Sequence, residues 1–146
     1  MHYDKVDLIA AVGRRGQLGL NGRLPWHDPE DLQRFAEDTT DCLLIAGWNT
    51  YQTVRTLHGI RGRRVYLDSS DYTPQKAWTE AARYTLRNVY VIGGAATYAR
   101  WLKAGWIRRS LITIVDYDGP ADVYMPSLWN HRALAGGIRN FPDDYV

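Results

Sequence analysis

Between residues 18 and 32 the chain reads Leu-Gly-Leu-Asn-Gly-Arg-Leu-Pro-Trp-His-Asp-Pro-Glu-Asp-Leu. A Gly-punctuated loop runs into Pro25-Trp26, and an acid, Asp31, follows five residues after the Trp. Asp28 reads as an N-cap with Pro29 at the first helical position, so Asp31 falls in the first turn of a helix that continues through Phe35. As a capping-box carboxylate, Asp31 would only close that helix. Turned inward, it could hold an amidine-like pair of N–H groups through charge-assisted bonds. Ala10 and Ala11, in the apolar run before the loop, would bring small side chains to the same space. The set suits a flat heteroaromatic ligand gripped by one carboxylate beneath a closing flap. Trp26 suits a packing anchor that also fences water, and His27 suits the surface.

A second constellation lies at residues 89–98, where Val-Tyr-Val-Ile empties into Gly93-Gly94 and then Ala95-Ala96-Thr97-Tyr98. Two glycines let a ligand approach the backbone, and a following helix N-terminus offers free N–H groups to a phosphate. The same two glycines could serve only a steric turn. Gly47 to Thr53 repeats the strand–Gly–helix pattern, with Thr50 as either helix cap or phosphate ligand. Leu67-Asp68-Ser69-Ser70 ends another run with an acid and two hydroxyls, a set that could read a ribose or merely form a polar turn.

The elements that must hold these groups alternate in type. Apolar runs at 6–12, 42–46, 64–67, 89–92 and 111–115 predict strands, several of them buried on both faces. Helical patterns cover 29–38, 50–56, 74–86 and 95–103. This alternation predicts an α/β fold with a parallel-dominated sheet covered on both sides. With 146 residues, no repeat and no linker, a single domain over 1–146 is expected. The tail from 127 to 146 offers only Gly136-Gly137, Pro142-Asp143-Asp144 and the packing residues Trp129, Phe141 and Tyr145.

Bulk properties narrow the function classes. A net charge of +2 is too small to argue for nucleic acid, and the basic clusters at 14–15, 61–64 and 108–109 are short and separated. The single Cys42 permits neither an internal disulfide nor a thiolate metal quartet, and reads as a small buried hydrophobe. His2, His58 and His131 show no ligand spacing, so no metal site is expected. No apolar run approaches the ~20 residues of a membrane helix, and Asp7 interrupts any leader-like stretch. A cytoplasmic monomer acting on a small molecule is the expectation.

Taken in order, these segments resemble dihydrofolate reductase. The resemblance is carried by Ile9-Ala10-Ala11-Val12-Gly13, Leu18-Gly19, Leu24-Pro25-Trp26, Pro29-Glu30-Asp31-Leu32, Gly47 with Thr50, Val91-Ile92-Gly93-Gly94 with Tyr98, and Asp122 before Tyr124-Met125-Pro126. It spans roughly residues 6 to 126 and implies a three-layer fold, a mostly parallel sheet of seven to eight strands flanked by about four helices. It implies reduction of 7,8-dihydrofolate to tetrahydrofolate, in support of one-carbon and thymidylate metabolism, by hydride transfer from NADPH, with NADH as an alternative donor. Asp31 then resembles the carboxylate that holds the pterin and promotes protonation beside the reduced bond. Leu24 and Trp26 resemble flap residues, and Thr113 the residue whose hydroxyl supports the acid. Ile9, Ala10, Leu32, Phe35, Val54 and Ile92 would line the substrate pocket. The cofactor would lie across Ala11, Leu18, Gly47, Thr50, Asp68, Ser69, Gly93, Gly94, Ala95 and Tyr98.

Several positions depart from the family pattern. Trp48 and Ala96 stand where basic residues often meet the 2′-phosphate of NADPH, and Asp68 would repel that phosphate, so weakened NADPH preference is expected. Among Arg61 to Arg64, Arg63 follows a Gly as the family's glutamate-binding Arg does and is favoured over Arg61. The residues after Pro126 leave little room for the family's terminal hairpin, so a shortened, seven-stranded or irregular edge is expected. Three other readings stand beside the main one. They are a pyrimidine reductase of riboflavin synthesis, a folate- or nucleotide-binding relative with little turnover, and a nucleic-acid binder suggested only by a slightly basic balance and 12% aromatics.

Overall fold

A computed structural model of the protein describes residues 3–58, 63–126 and 137–141. Arg61, His2, His131, Trp129 and Tyr145 lie outside these residues. Apolar, β-branched runs form β1 (Val6–Val12), β3 (Cys42–Ala46) and β5 (Asn88–Gly93), each buried almost throughout. With β4 (Arg64–Leu67), β6 (Ile107–Val115) and β8 (Gly137–Phe141) they build one sheet in the order β4-β3-β5-β1-β6-β8. Every pairing in it is parallel.

Four helices cover the sheet: α1 (Pro29–Asp38), α2 (Trp48–His58), α3 (Pro74–Arg83) and α4 (Ala95–Lys103). Because side chains alternate across a strand, the sheet feeds two cores. One joins Leu8, Leu43, Ile45, Val89 and Val91 to Ala77 and Ala81 of α3 and Tyr98 and Trp101 of α4. The other joins Ile9, Leu44, Tyr90 and Ile92 to Phe35 of α1 and Val54 of α2. This is the three-layer α/β architecture expected from the alternation.

The strand count differs from the expected seven to eight. Among the described residues the central sheet has six strands. The remaining two, β2 (Gln17–Gly19) and β7 (Val123–Tyr124), pair only with each other, antiparallel. They are too short to show periodicity; the tail strand β8, whose Gly-Ile-Arg-Asn-Phe is not a continuous apolar run, lies parallel along β6 from Leu111 to Val115.

The α3 helix also stops three residues before the expected end. Thr85 takes a left-handed φ of 57°, Thr85 N–H bonds Ala82 O at 3.2 Å and Leu86 N–H bonds Ala81 O at 2.8 Å. That is a C-terminal cap of the kind usually signalled by glycine, made here by Thr.

Outside the cavity two of the three basic clusters are paired rather than merely solvated. Arg14 and Arg15 meet Asp116 and Asp118, and Arg108 and Arg109 converge on the buried Asp7 at the amino-terminal end of β1. Cys42 is buried, and burial pushes its thiol up to about 11, which keeps it protonated and inert at neutral pH. Among the described residues, no helix is long and apolar enough to cross a membrane, and no cluster of three metal-ligating side chains occurs.

Candidate active site

The flap is a tight turn on a short ladder. Leu20 and Arg23 exchange backbone hydrogen bonds at 2.8 and 3.1 Å, with Asn21 and Gly22 between them at φ 53° and 77°. Two central residues with positive φ make this the Asn-Gly hairpin turn, a signal present in the sequence and not used above. The turn's base is tied to β7: Asp122 N–H donates to Gly19 O at 2.9 Å, and Asn21 N–H donates to Asp122 Oδ2 at 3.0 Å.

Beyond the flap, Asp28 caps α1 by accepting from Glu30 N–H at 3.1 Å and Asp31 N–H at 3.3 Å. Asp31 is the buried residue of this amphipathic helix, 7% exposed, and it faces a cavity of about 320 Å3. That volume lies at the lower end of the range for small-molecule sites. Ile9, Ala10 and Ala11 of β1 form the floor, with Thr113 of β6 beside them in register with Ala11. Leu32, Phe35 and Val54 supply an apolar wall, and Leu18, Leu24 and Val123 close it from the flap side.

The far end of the cavity is backbone. Ile92, Gly93, Gly94, Ala95, Thr50 and Tyr98 line it. Gly93 has φ 124°, the Gly93-Gly94 peptide is cis, and Gly47 N–H donates to Gly93 O at 2.8 Å. A Cβ on Gly93 would stand 3.4 Å from both Thr50 Oγ1 and Tyr98 OH, so the bare backbone leaves room that a side chain would fill. Tyr98 is fully buried and donates its hydroxyl to Ile9 O at 2.7 Å. Burial drives its acidity far down, so it remains a neutral donor. Unlike α1 and α3, which begin on Asp28 and Thr73, α4 begins on Gly94 with no side-chain cap. Its first N–H groups are therefore available to an anion.

Five expected site residues do not line this cavity. Trp26 packs against Tyr117 with ring centroids 5.7 Å apart, and its Nε1 is buried without a hydrogen-bond partner among the described residues. Gly47 lies behind Gly93, where an added Cβ would meet Thr97 Oγ1 at 2.9 Å. Asp68 Oδ1 accepts from Arg100 at 2.7 Å and Trp101 Nε1 at 3.0 Å, and Ser69 is exposed beside it. Arg63 is 9% exposed and donates to Ala36 O at 3.3 Å. Burial lowers its guanidinium's basicity.

Sequence reasoning passed over Arg23, Arg34 and Asn49, which do line the cavity. Arg34 could have been found, since it follows Asp31 by three and shares its helix face.

Comparison with known proteins gives a consistent neighbourhood. The family model described as dihydrofolate reductase matches residues 5–135. The chain is 36% identical over 138 residues to a dihydromethanopterin reductase of Methylorubrum extorquens, covering 90% of this chain and 95% of that one. It is 28% identical to a dihydrofolate reductase of Buchnera aphidicola, covering 84% and 79% of the two chains. It is 30% identical to the dihydrofolate reductase HdrB of Haloferax volcanii, covering 82% and 69%. Among solved structures, the fold is similar to dihydrofolate reductase from Enterococcus faecalis complexed with NADP(H), with TM-score 0.62, 24% identity and 86% and 79% coverage.

Proposed function

This chain belongs to the dihydrofolate reductase family, and we propose that it reduces a 7,8-dihydropterin to the tetrahydro form, with 7,8-dihydrofolate as substrate. The observation that carries the proposal is a buried carboxylate, Asp31, sharing one apolar cavity with the Gly93-Gly94 backbone. The acid would hold the 2-amino group and adjacent ring nitrogen of the pterin. It would also raise the proton affinity of the nitrogen beside the C=N bond, which resists hydride addition until that nitrogen is protonated.

A bound reduced nicotinamide dinucleotide, NADPH or NADH, supplies the hydride. The open first turn of α4 and the side-chain-free Gly93-Gly94 strip fit its diphosphate, and Thr50 lies within reach of the same strip. Tyr98, held to Ile9 O, ties α4 to the cavity floor and fixes the spacing between donor and acceptor ends. Leu24 on the flap excludes water from the reacting bond. Arg23 and Arg34 on the wall suit an acidic substrate tail better than the buried Arg63 does.

A second reading takes dihydromethanopterin as substrate. It is favoured by the 36% identity to a dihydromethanopterin reductase that this chain covers over 95% of its length. The two pterins share the head that Asp31 would grip and differ in the tail. The test is absorbance at 340 nm with each pterin and each reduced dinucleotide. Oxidation with dihydrofolate at a kcat/KM at least tenfold above dihydromethanopterin supports the first reading, and the reverse ratio selects the second. No oxidation with either, despite dinucleotide binding, would leave a binding protein without turnover. Retention in the cytoplasm belongs to the same proposal.

A further inference from the structure

The cavity reaches the carboxyl ends of β3 and β5 through Asn49, Thr50, Gly93, Gly94 and Ala95, and the end of β4 adjoins them, at the edge where ligands of open α/β sheets bind. Three segments make that edge, residues 46–50, 67–73 and 93–98. They are joined by the Ala46–Leu67 pairing and by Asp68 N–H donating to Ala46 O at 2.8 Å. Two large apolar side chains stay out in solvent here, Trp48 at 59% exposure and Leu67 at 43%. Trp48 is the first residue of α2, next to the cavity residues Asn49 and Thr50. Its ring lies within 15° of the Tyr51 ring plane, with centroids 6.2 Å apart, so the indole is already oriented. An exposed tryptophan braced by a second ring contributes little to the core and offers a flat apolar face.

The charges of this edge are as informative. Its three segments contain Asp68 and Asp71 and no Lys or Arg. Among the described residues, Arg100 of α4 and Lys76 of α3 bond to it, and both are engaged. Arg100 bonds Asp68 Oδ1 at 2.7 Å, Tyr72 O at 2.7 Å and Ser70 O at 3.2 Å, while Lys76 bonds Asp71 O at 3.0 Å. A phosphate monoester, carrying roughly two negative charges at neutral pH, would meet acids here with no uncommitted cation in the three segments to offset them. The hydroxyls of Ser69 and Ser70 suit a neutral, hydrogen-bonding ribose instead.

We propose that this edge is an adenosine platform, with Trp48 stacking the base, selective for a dinucleotide with a free 2′-hydroxyl: NADH rather than NADPH. The inference rests on the reading that the cavity takes a nicotinamide dinucleotide. It goes beyond that reading by naming which one, and which side chain chooses.

The test is calorimetric titration of the full-length protein with NADH and with NADPH, alongside the 340 nm assay. NADH is expected to bind at least threefold tighter than NADPH. Trp48→Arg should move the ratio of the two dissociation constants at least tenfold toward NADPH. Trp48→Leu should weaken both by about tenfold, within the range for loss of one base–aromatic stack. The variants sit at an exposed position, so circular dichroism should match the parent.

NADPH binding as tightly as NADH or tighter would overturn the inference while leaving the reductase reading intact. An unchanged affinity for both in Trp48→Leu would do the same. Binding without turnover would overturn the reductase reading alone, and failure to bind either dinucleotide would remove both.

Discussion

Asp122 holds the flap by its tip, accepting the Asn21 N–H on Oδ2 at 3.0 Å while its own N–H reaches Gly19 O at 2.9 Å. These bonds join residues about a hundred positions apart in the chain. They set where the Asn21-Gly22 turn stands, and through it where Leu24 overhangs the cavity that Asp31 faces. The side-chain bond is exposed, so its contribution to global stability is small, and its influence falls on the flap.

Asp122→Ala is therefore expected to lower the melting free energy by less than about 1 kcal/mol. It should slow the hydride step about fivefold or more, the equivalent of about 1 kcal/mol in the barrier. Asp122→Asn keeps an acceptor at the same place and should retain most of the rate. Single-turnover absorbance at 340 nm together with a thermal melt separates the two effects. Equal loss of rate in both variants would show that charge, not the flap bond, matters.

Gly47 and Thr97 make a second sharp test. A methyl at Gly47 would stand 2.9 Å from Thr97 Oγ1, with Gly94 N at 3.6 Å and Gly93 O at 3.7 Å. Thr97 is buried in the first turn of α4, so the helix start must shift to admit the methyl. Gly47→Ala should raise the dinucleotide dissociation constant by about tenfold, as about 1–3 kcal/mol of overpacking strain would. Adding Thr97→Ala should recover much of that loss. Absence of recovery in the double variant would place the damage elsewhere than at this contact.

At the opposite end of the sheet, Asp7 governs stability rather than chemistry. Its carboxylate is 1% exposed and accepts from Arg108 Nε at 3.0 Å and Nη2 at 2.9 Å, from Arg109 Nε at 3.0 Å and from Asn88 Nδ2 at 3.0 Å. Burial alone would raise its pKa, but the bonds from Arg108, Asn88 and Arg109 outweigh it and hold the acid below the ordinary carboxylate value. The unfolded chain then binds a proton more readily than the fold does. The stabilisation is complete above about pH 4–5, the unfolded carboxylate's range, and is lost as pH falls through the depressed folded value. Asp7→Asn should cost about 2–3 kcal/mol at pH 7, below the fully buried range because Arg108 and Arg109 reach solvent. It should also flatten the acid limb of the stability curve. Urea melts between pH 3 and 7 measure both, and a parallel downward shift at every pH would refute the linkage.

What the sequence disclosed, and what it hid, follows from the range of the forces involved. Strands β1, β3 and β4 and helices α1 and α4 have the expected bounds, because the buried β1 and β3 write continuous apolar runs, the partly exposed β4 still carries Val65-Tyr66-Leu67, and Asp28-Pro29 writes a helix start. The end of α3 was hidden because Thr85 occupies a conformation that glycine usually announces. The six-stranded sheet was overcounted because β2 and β7 find each other instead of its edge. Side-chain commitments were the least legible. Asp68 could not be seen to face Arg100, which lies 32 residues on, and nothing local shows that Arg63 packs under α1.

The acid itself yields the last prediction. Asp31 lies in the first turn of α1, yet the capping work there is done by Asp28, which takes the Glu30 and Asp31 N–H groups on its own oxygen. Asp31→Asn leaves those two bonds in place and keeps the side chain's shape, so the variant should keep the fold and melt within about 1 kcal/mol of the parent. An amide preserves shape and one acceptor but neither the charge that balances a protonated pterin nor the basicity that promotes it. The hydride step at pH 7 should fall by about 10²–10⁴, the span typical for loss of a positioned acid–base group. With no carboxylate to favour it, protonation must come from solvent, so the variant's rate should climb steadily as pH is lowered while the parent's changes less. Single-turnover rates across pH 5–9 would show this. A variant that matches the parent at pH 7, or whose rate is flat with pH, would mean that Asp31 positions the pterin without taking part in its protonation.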